Sequence, residues 1–243
     1  MIDANSRLQE VIDSLLPAGR SLRVLEAGCG STSHLRLPED CWLVGIDISE
    51  RQLARNARLN ERVLGDLQCH KWQPNEFDLV VCWDVLEHLA DPRAALLNLF
   101  DSVKKNGLLV IAIPIRNSLK GLATRLTPFG FHAWFYRHVI GDKRARQDLD
   151  QFPTYMRPDM HPRRVIELAA QYGFSPHYQN YYEGPVQLHM RRRSLLADSV
   201  LSVLKAGGRL RTSGAYDPTL SDCILLLRRH TVAGPGAEPN GHD

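Results

Sequence analysis

The 243-residue chain has no apolar run approaching the ~20 residues needed to cross a bilayer, since its longest nearly unbroken stretch, Leu108 to Ile115, has eight. Its opening, MIDANSRLQE, has neither a basic n-region nor an apolar h-region. No secretory signal is visible, and the cytoplasm is the expected compartment. The cysteines are an odd five, at 29, 41, 69, 82 and 223, with no CxxC pair, which argues against a disulfide framework and a zinc ribbon. Ten histidines are scattered without HExxH spacing, and no metal is expected. Excess charge is also lacking: 30 basic against 27 acidic side chains leave +3, which selects no polyanionic partner. At 44% hydrophobic and 23% charged, the composition excludes collagen, coiled coil and disorder.

What is present is periodic. Leu8, Val11, Ile12, Leu15 and Leu16 share one helical face, which Pro17 and Gly19 end. Short apolar runs follow at Leu22 to Glu26, Trp42 to Ile46, Arg62 to Leu64, Phe77 to Cys82 and Leu108 to Ile113, as in strands buried on both faces of a parallel sheet. Helix signals lie between them. Ser49 with Gln52 opens Glu50 to Asn60, Asp91-Pro92 opens a helix ended by Asn106-Gly107, and Pro162 opens one reaching Gly173. Phe174 to Tyr182 and Cys223 to Leu227 read as two further strands. The alternation predicts a doubly wound α/β fold. One domain over 1–230 is expected, with insertions at 116–160 and 184–214 and a loose tail at 231–243.

The first strand ends in Leu25-Glu26-Ala27-Gly28-Cys29-Gly30, and the second, Val44-Gly45-Ile46-Asp47, ends in an acid. Glycines at a strand's carboxyl end admit a ligand to the backbone, and the acid is placed to accept from two ribose hydroxyls. Together they point to a nucleoside. A dinucleotide fingerprint would need glycine at 33, where Ser33 stands, and only eleven residues with Pro38 separate Gly30 from the second strand. That is too short for the usual helical crossover.

The chain here resembles the class I, Rossmann-like, S-adenosylmethionine-dependent methyltransferases. Six ordered pieces carry the likeness: Val24 to Gly30, Gly45 to Ser49, Gly65-Asp66-Leu67, Phe77 to Cys82, Leu86-Glu87-His88-Leu89 with Asp91-Pro92, and Asn106 to Val110. The resemblance implies a mostly parallel seven-stranded sheet with an antiparallel last strand, helices on both faces and a lid insertion after the fifth strand. It implies S-adenosylmethionine as cofactor, with Glu26, Ala27, Gly28 and Gly30 around the methionine part, Asp47 and Ile48 at the ribose, and Asp66 and Leu67 at the adenine. Trp83 and Asp84 would pass beside the sulfonium. His88 stands with them, its other reading being an imidazole satisfied by neighbouring backbone. Thr32 departs from a GxGxG pattern.

Residues 116–160 hold seven of the chain's aromatics, among them Trp134 and Tyr155, and read either as a substrate lid or as rings that pack the insertion on the sheet. His132, His138, His161 and Tyr155 are the candidates in or beside it for moving an acceptor's proton. The segment 184–214 carries six basic residues against the single Asp198, with an apolar helical face at 196–204. An anionic membrane, a lipid-linked acceptor, its own domain or a twin subunit are its open partners. The expected function is methyl transfer to an oxygen or nitrogen of a small-molecule, sugar- or lipid-linked acceptor. Nucleic acid is not expected, because Cys82-Trp83-Asp84-Val85 lacks the proline-containing loop that grips a flipped base. A nicotinamide-dependent oxidoreductase and a non-catalytic binding subunit are the alternatives.

Overall fold

A computed structural model describes residues 4–17, 19–127, 154–155 and 157–231. In chain order these form α1 (Ala4–Leu15), β1 (Arg23–Ala27), β2 (Trp42–Asp47), α2 (Glu50–Arg55), β3 (Glu61–Leu64) and β4 (Phe77–Trp83). A 3-10 turn at Leu86–His88 leads into α3 (Pro92–Ser102), β5 (Val103–Pro114) and α4 (Leu119–Leu126). After a second such turn at Pro158–Met160 come α5 (Pro162–Gln171), β6 (Phe174–Tyr182), α6 (Pro185–Arg193), α7 (Leu195–Arg211) and β7 (Asp222–Arg229). Of the expected lid, residues 128–153 lie outside the described ones, and so do His132, His138, Trp134 and the tail beyond 231.

The strands make one seven-stranded sheet in the order β3-β2-β1-β4-β5-β7-β6. β1 to β5 pair in parallel, and β7 runs antiparallel to both β5 and β6. This is the arrangement the resemblance implies. The apolar runs are unbroken because both faces are covered. Leu25, Val44, Val80 and Leu109 face a core completed by Leu96, Leu99 and Phe100 of α3 and Val165 of α5. Val24, Leu43, Leu79 and Val110 face one completed by Leu8 and Ile12 of α1 and Leu53 of α2.

Two helix ends differ from expectation. α2 stops at Arg55 rather than Asn60, because the Arg62 guanidinium donates to the carbonyls of Leu53 (3.0 Å) and Asn56 (2.8 Å) and so satisfies the last turn from outside. α3 stops at Ser102, where Arg229 donates to the carbonyls of Phe100 (3.0 Å) and Asp101 (3.1 Å). Asn106, at φ +63, then turns the chain inside an irregular start of β5. No helix joins β1 to β2, as the eleven-residue spacing requires. Buried Asp78 is structural, accepting from Arg23 N–H (2.9 Å) and Lys104 (2.7 Å).

Candidate active site

The carboxyl ends of β1, β2 and β4 surround a cavity of about 360 Å³, inside the size range of small-molecule sites. Its floor is the turn after β1. Gly28 (φ +69) and Gly30 (φ +51) take the left-handed conformation that glycine adopts without cost. A Cβ on Gly28 would stand 2.4 Å from Val85 Cγ2, so both the fold of the turn and the space above it require glycine. Asp47 is buried at the end of β2, where Oδ2 accepts from Gly30 N–H and Oδ1 from Ser49 N–H, each at 2.9 Å. Each oxygen keeps a lone pair, which suits the two hydroxyls of a ribose.

The opposite wall is built by loops. Asp66 accepts from the backbone N–H of Gln68 at 2.8 Å and from its side-chain amide, while Asn98 donates to the Leu67 carbonyl at 2.9 Å and fixes that loop. The ring of His34 stacks on Trp83 with centroids 5.1 Å apart and planes within 4°. Asp84 holds φ +53, unusual for a side-chain-bearing residue, with its N–H bonded to the Ala112 carbonyl at 3.0 Å. Burial pushes the carboxyls of Asp84 and Glu87 upward, Asp84 adds to the shift on Glu87, and Lys120 opposes both. Burial raises the Cys29 thiol to about 12, so it supplies no thiolate at neutral pH.

Of the residues singled out in sequence, Gly28, Gly30, Asp47, Ile48, Asp66, Leu67, Trp83, Asp84 and His88 line this one cavity. Glu26 and Ala27 do not. Glu26 is buried and accepts from Ser33 Oγ at 2.7 Å, so the residue that departs from the dinucleotide fingerprint here holds a carboxylate. Its Oε1 has no hydrogen-bond partner among the described residues, and burial raises its pKa. Tyr155 has an exposed ring and donates its backbone N–H to the Glu87 carbonyl at 2.7 Å. His161 caps α5 and lines a separate, smaller cavity shared with Glu87. His34 lines the large cavity without any signal that spacing could have supplied, Gln52 is legible only as the partner of Ser49 at the start of α2, and Ser31 and Thr32 follow from their place beside Gly30.

Residues 2–177 match a family model described as a methyltransferase domain. The mitochondrial ubiquinone biosynthesis O-methyltransferase of Schizosaccharomyces pombe is 31% identical over 141 residues, 50% of this chain and 51% of that protein. The chain thus spans about half the length of the curated relatives it matches. A SAM dependent methyltransferase from Archaeoglobus fulgidus superposes with a TM-score of 0.56 at 18% identity, over 93% of this chain and 92% of that one. A [4+2]-cyclase superposes equally well, with a TM-score of 0.56 at 16% identity over 93% and 81% of the two chains. At such identities the likeness is one of fold.

Proposed function

The chain belongs to the methyltransferase-domain family, and from that premise we propose that its large cavity binds S-adenosylmethionine and that it transfers a methyl group to an oxygen or nitrogen of a small-molecule, sugar- or lipid-linked acceptor. The observation that carries this reading is Asp47, with two lone pairs facing the same cavity as the Gly28–Gly30 turn. S-adenosylmethionine, when bound, supplies an activated methyl group on a sulfonium. The protein's own task is positioning, which can be worth about 7–11 kcal/mol when reacting atoms are held at contact distance. Asp47 and Ile48 hold the ribose, Asp66 and Leu67 the adenine, and the Gly28–Gly30 backbone the amino-acid part. The stacked rings of Trp83 and His34 keep water from the sulfonium's surroundings. Calorimetric titration with S-adenosylmethionine, S-adenosylhomocysteine and NAD tests the reading. Binding of the first two and not the third is expected, and the reverse overturns it.

The relatives named O-methyltransferases favour an oxygen acceptor. We also infer a peripheral membrane contact through α6 and α7. No helix among the described residues is long and apolar enough to cross a membrane. Yet none of α7 is buried, and Leu196, Val200, Val203, Gly207 and Leu210 form a stripe spaced four, three, four and three residues apart. Leu195 and Leu210 are each 87% exposed, far beyond isolated surface leucines. Arg192 and Arg193 at the end of α6 and Arg209 and Arg211 at the end of α7 are exposed, whereas Asp198 is held by Arg191 at 2.6 Å. A twin subunit would set arginine against arginine, so an anionic lipid surface is the better complement. Four arginines at about 1 kcal/mol each give reversible, salt-sensitive attachment. Co-sedimentation with phosphatidylglycerol vesicles but not phosphatidylcholine ones is expected, and it should be lost when those four arginines become Gln. Equal sedimentation in every arm would return the stripe to another role.

A further inference from the structure

Beside the large cavity, across the 3-10 turn that carries Glu87 and His88, lies a second one of about 130 Å³. That is close to the ~150 Å³ of an engineered protein cavity that takes up benzene. Ile113, Pro114, Pro158 and Met160 give it apolar walls, and Glu87, Arg116, Asn117, Arg157 and His161 its polar groups. Glu87 is 8% exposed, and its Oε2 has no hydrogen-bond partner among the described residues. A buried carboxyl left in that state is costly unless something uses it. Arg157 makes no ion pair among the described residues. His161 Nδ1 accepts from the N–H of Arg163 at 3.3 Å, so the neutral ring carries its proton on Nε2 and offers a donor. The cavity therefore combines one proton acceptor, Glu87, with donors suited to an anion.

Resting on the methyltransferase reading, we propose that this second cavity is the acceptor's subsite, and that it takes a single ring bearing a hydroxyl and an anionic group. Glu87 receives the hydroxyl's proton, and Arg157 with His161 holds the carboxylate or phosphate. In the step, the O–H proton passes to Glu87 while the oxygen's electron pair forms the bond to the methyl carbon. The carbon–sulfur pair goes to sulfur, and Glu87 returns its proton to water. The groups around Glu87 favour this role. Burial and then Asp84 raise its pKa, with Asp222 adding and a backbone hydrogen bond and Lys120 opposing, so its carboxylate is a stronger base than a free one, and His88 Nε2 lies 3.9 Å from Oε1.

The test uses the full chain saturated with S-adenosylhomocysteine, whose binding is first verified by calorimetry. The Met160 methyl resonance is followed during titration with 4-hydroxybenzoate, 4-hydroxyphenyl phosphate and neutral 4-hydroxybenzamide. At least one anion should shift it with an affinity about tenfold above that of the amide, and Arg157→Gln should erase the difference. Which anion wins separates carboxylate from phosphate. Glu87→Gln should keep the anion's affinity, lose methyl transfer to it, and melt higher than the parent at pH 8, an advantage that fades toward pH 4. The sign follows from a folded-state pKa above the unfolded one: the buried carboxylate destabilises at high pH and is neutral in both states at low pH. A Met160 resonance unmoved by either anion in a chain that binds S-adenosylhomocysteine overturns the subsite and leaves the cofactor reading standing. An unchanged preference in Arg157→Gln also overturns it, and undiminished turnover in Glu87→Gln overturns its proton-accepting role.

Discussion

Asp47→Ala should weaken S-adenosylhomocysteine binding by two decades or more while the chain still folds. Two effects add. The variant loses a charged acceptor for the ribose, typically about 1.5–3 kcal/mol or one to two decades. It also releases Gly30 N–H and Ser49 N–H, which the carboxylate holds at 2.9 Å each, so the glycine turn and the start of α2 lose their common anchor. Asp47→Asn separates the two, because an amide keeps one carbonyl acceptor and replaces the other oxygen with a donor. Its loss should fall between parent and alanine. Calorimetry gives the affinities, and a thermal scan without ligand shows whether the scaffold has survived. Parent-like affinity in a folded Asp47→Ala would remove Asp47 from the ribose site.

Arg191→Met should be the most destabilising of the changes considered. The guanidinium grips Glu183 through Nε at 2.6 Å and through its second nitrogen at 2.9 Å, and reaches Asp198 at 2.6 Å. It thereby ties α6 to the end of β6 and to α7. Arg191 and Glu183 are only 16% and 12% exposed, so truncation strands a largely buried carboxylate, for which about 3 kcal/mol is expected at the lower end of measured cases. For a chain of this size that lowers Tm by roughly 6–12 °C. Changing Glu183 to Leu in the same chain should recover a large part of the loss. If Arg191→Met alone melts with the parent, the tie carries no weight and α6 is held by its other contacts, such as Gln187 to the Thr219 carbonyl at 3.0 Å in the segment before β7.

That arginine also marks where sequence reading stops. In the string Arg191-Arg192-Arg193 the three residues are equivalent, yet one is folded inward against two acids and two face solvent. Only the path of the chain separates them. Strands were legible because a sheet covered on both faces demands unbroken apolar runs, and Gly28, Gly30 and Asp47 because a ligand edge demands small residues and an acid at strand ends. Glu87 could be read in sequence only as part of a family piece. Its significance arises from the cavity formed with residues between 113 and 117 and between 157 and 161, which no local pattern encodes. The His34–Trp83 stack has no local signature for the same reason, since residue 34 lies in an irregular loop without period.

The place of β7 between β5 and β6 has a consequence for synthesis. As the chain emerges from the ribosome, β1 to β5 can pair side by side and the nucleoside-binding half can assemble early. β6 cannot join them, because among the described residues its only neighbour in the sheet is β7, and β5 keeps an open edge until the same strand arrives. Both edges stay unsatisfied until Asp222–Arg229, which 39 residues separate from β6, is free of the exit tunnel. Open edges of this kind are where nascent chains mispair. A translational pause just after codon 229, which holds β7 inside the tunnel while β6 is already outside, should therefore raise aggregation relative to the unpaused chain.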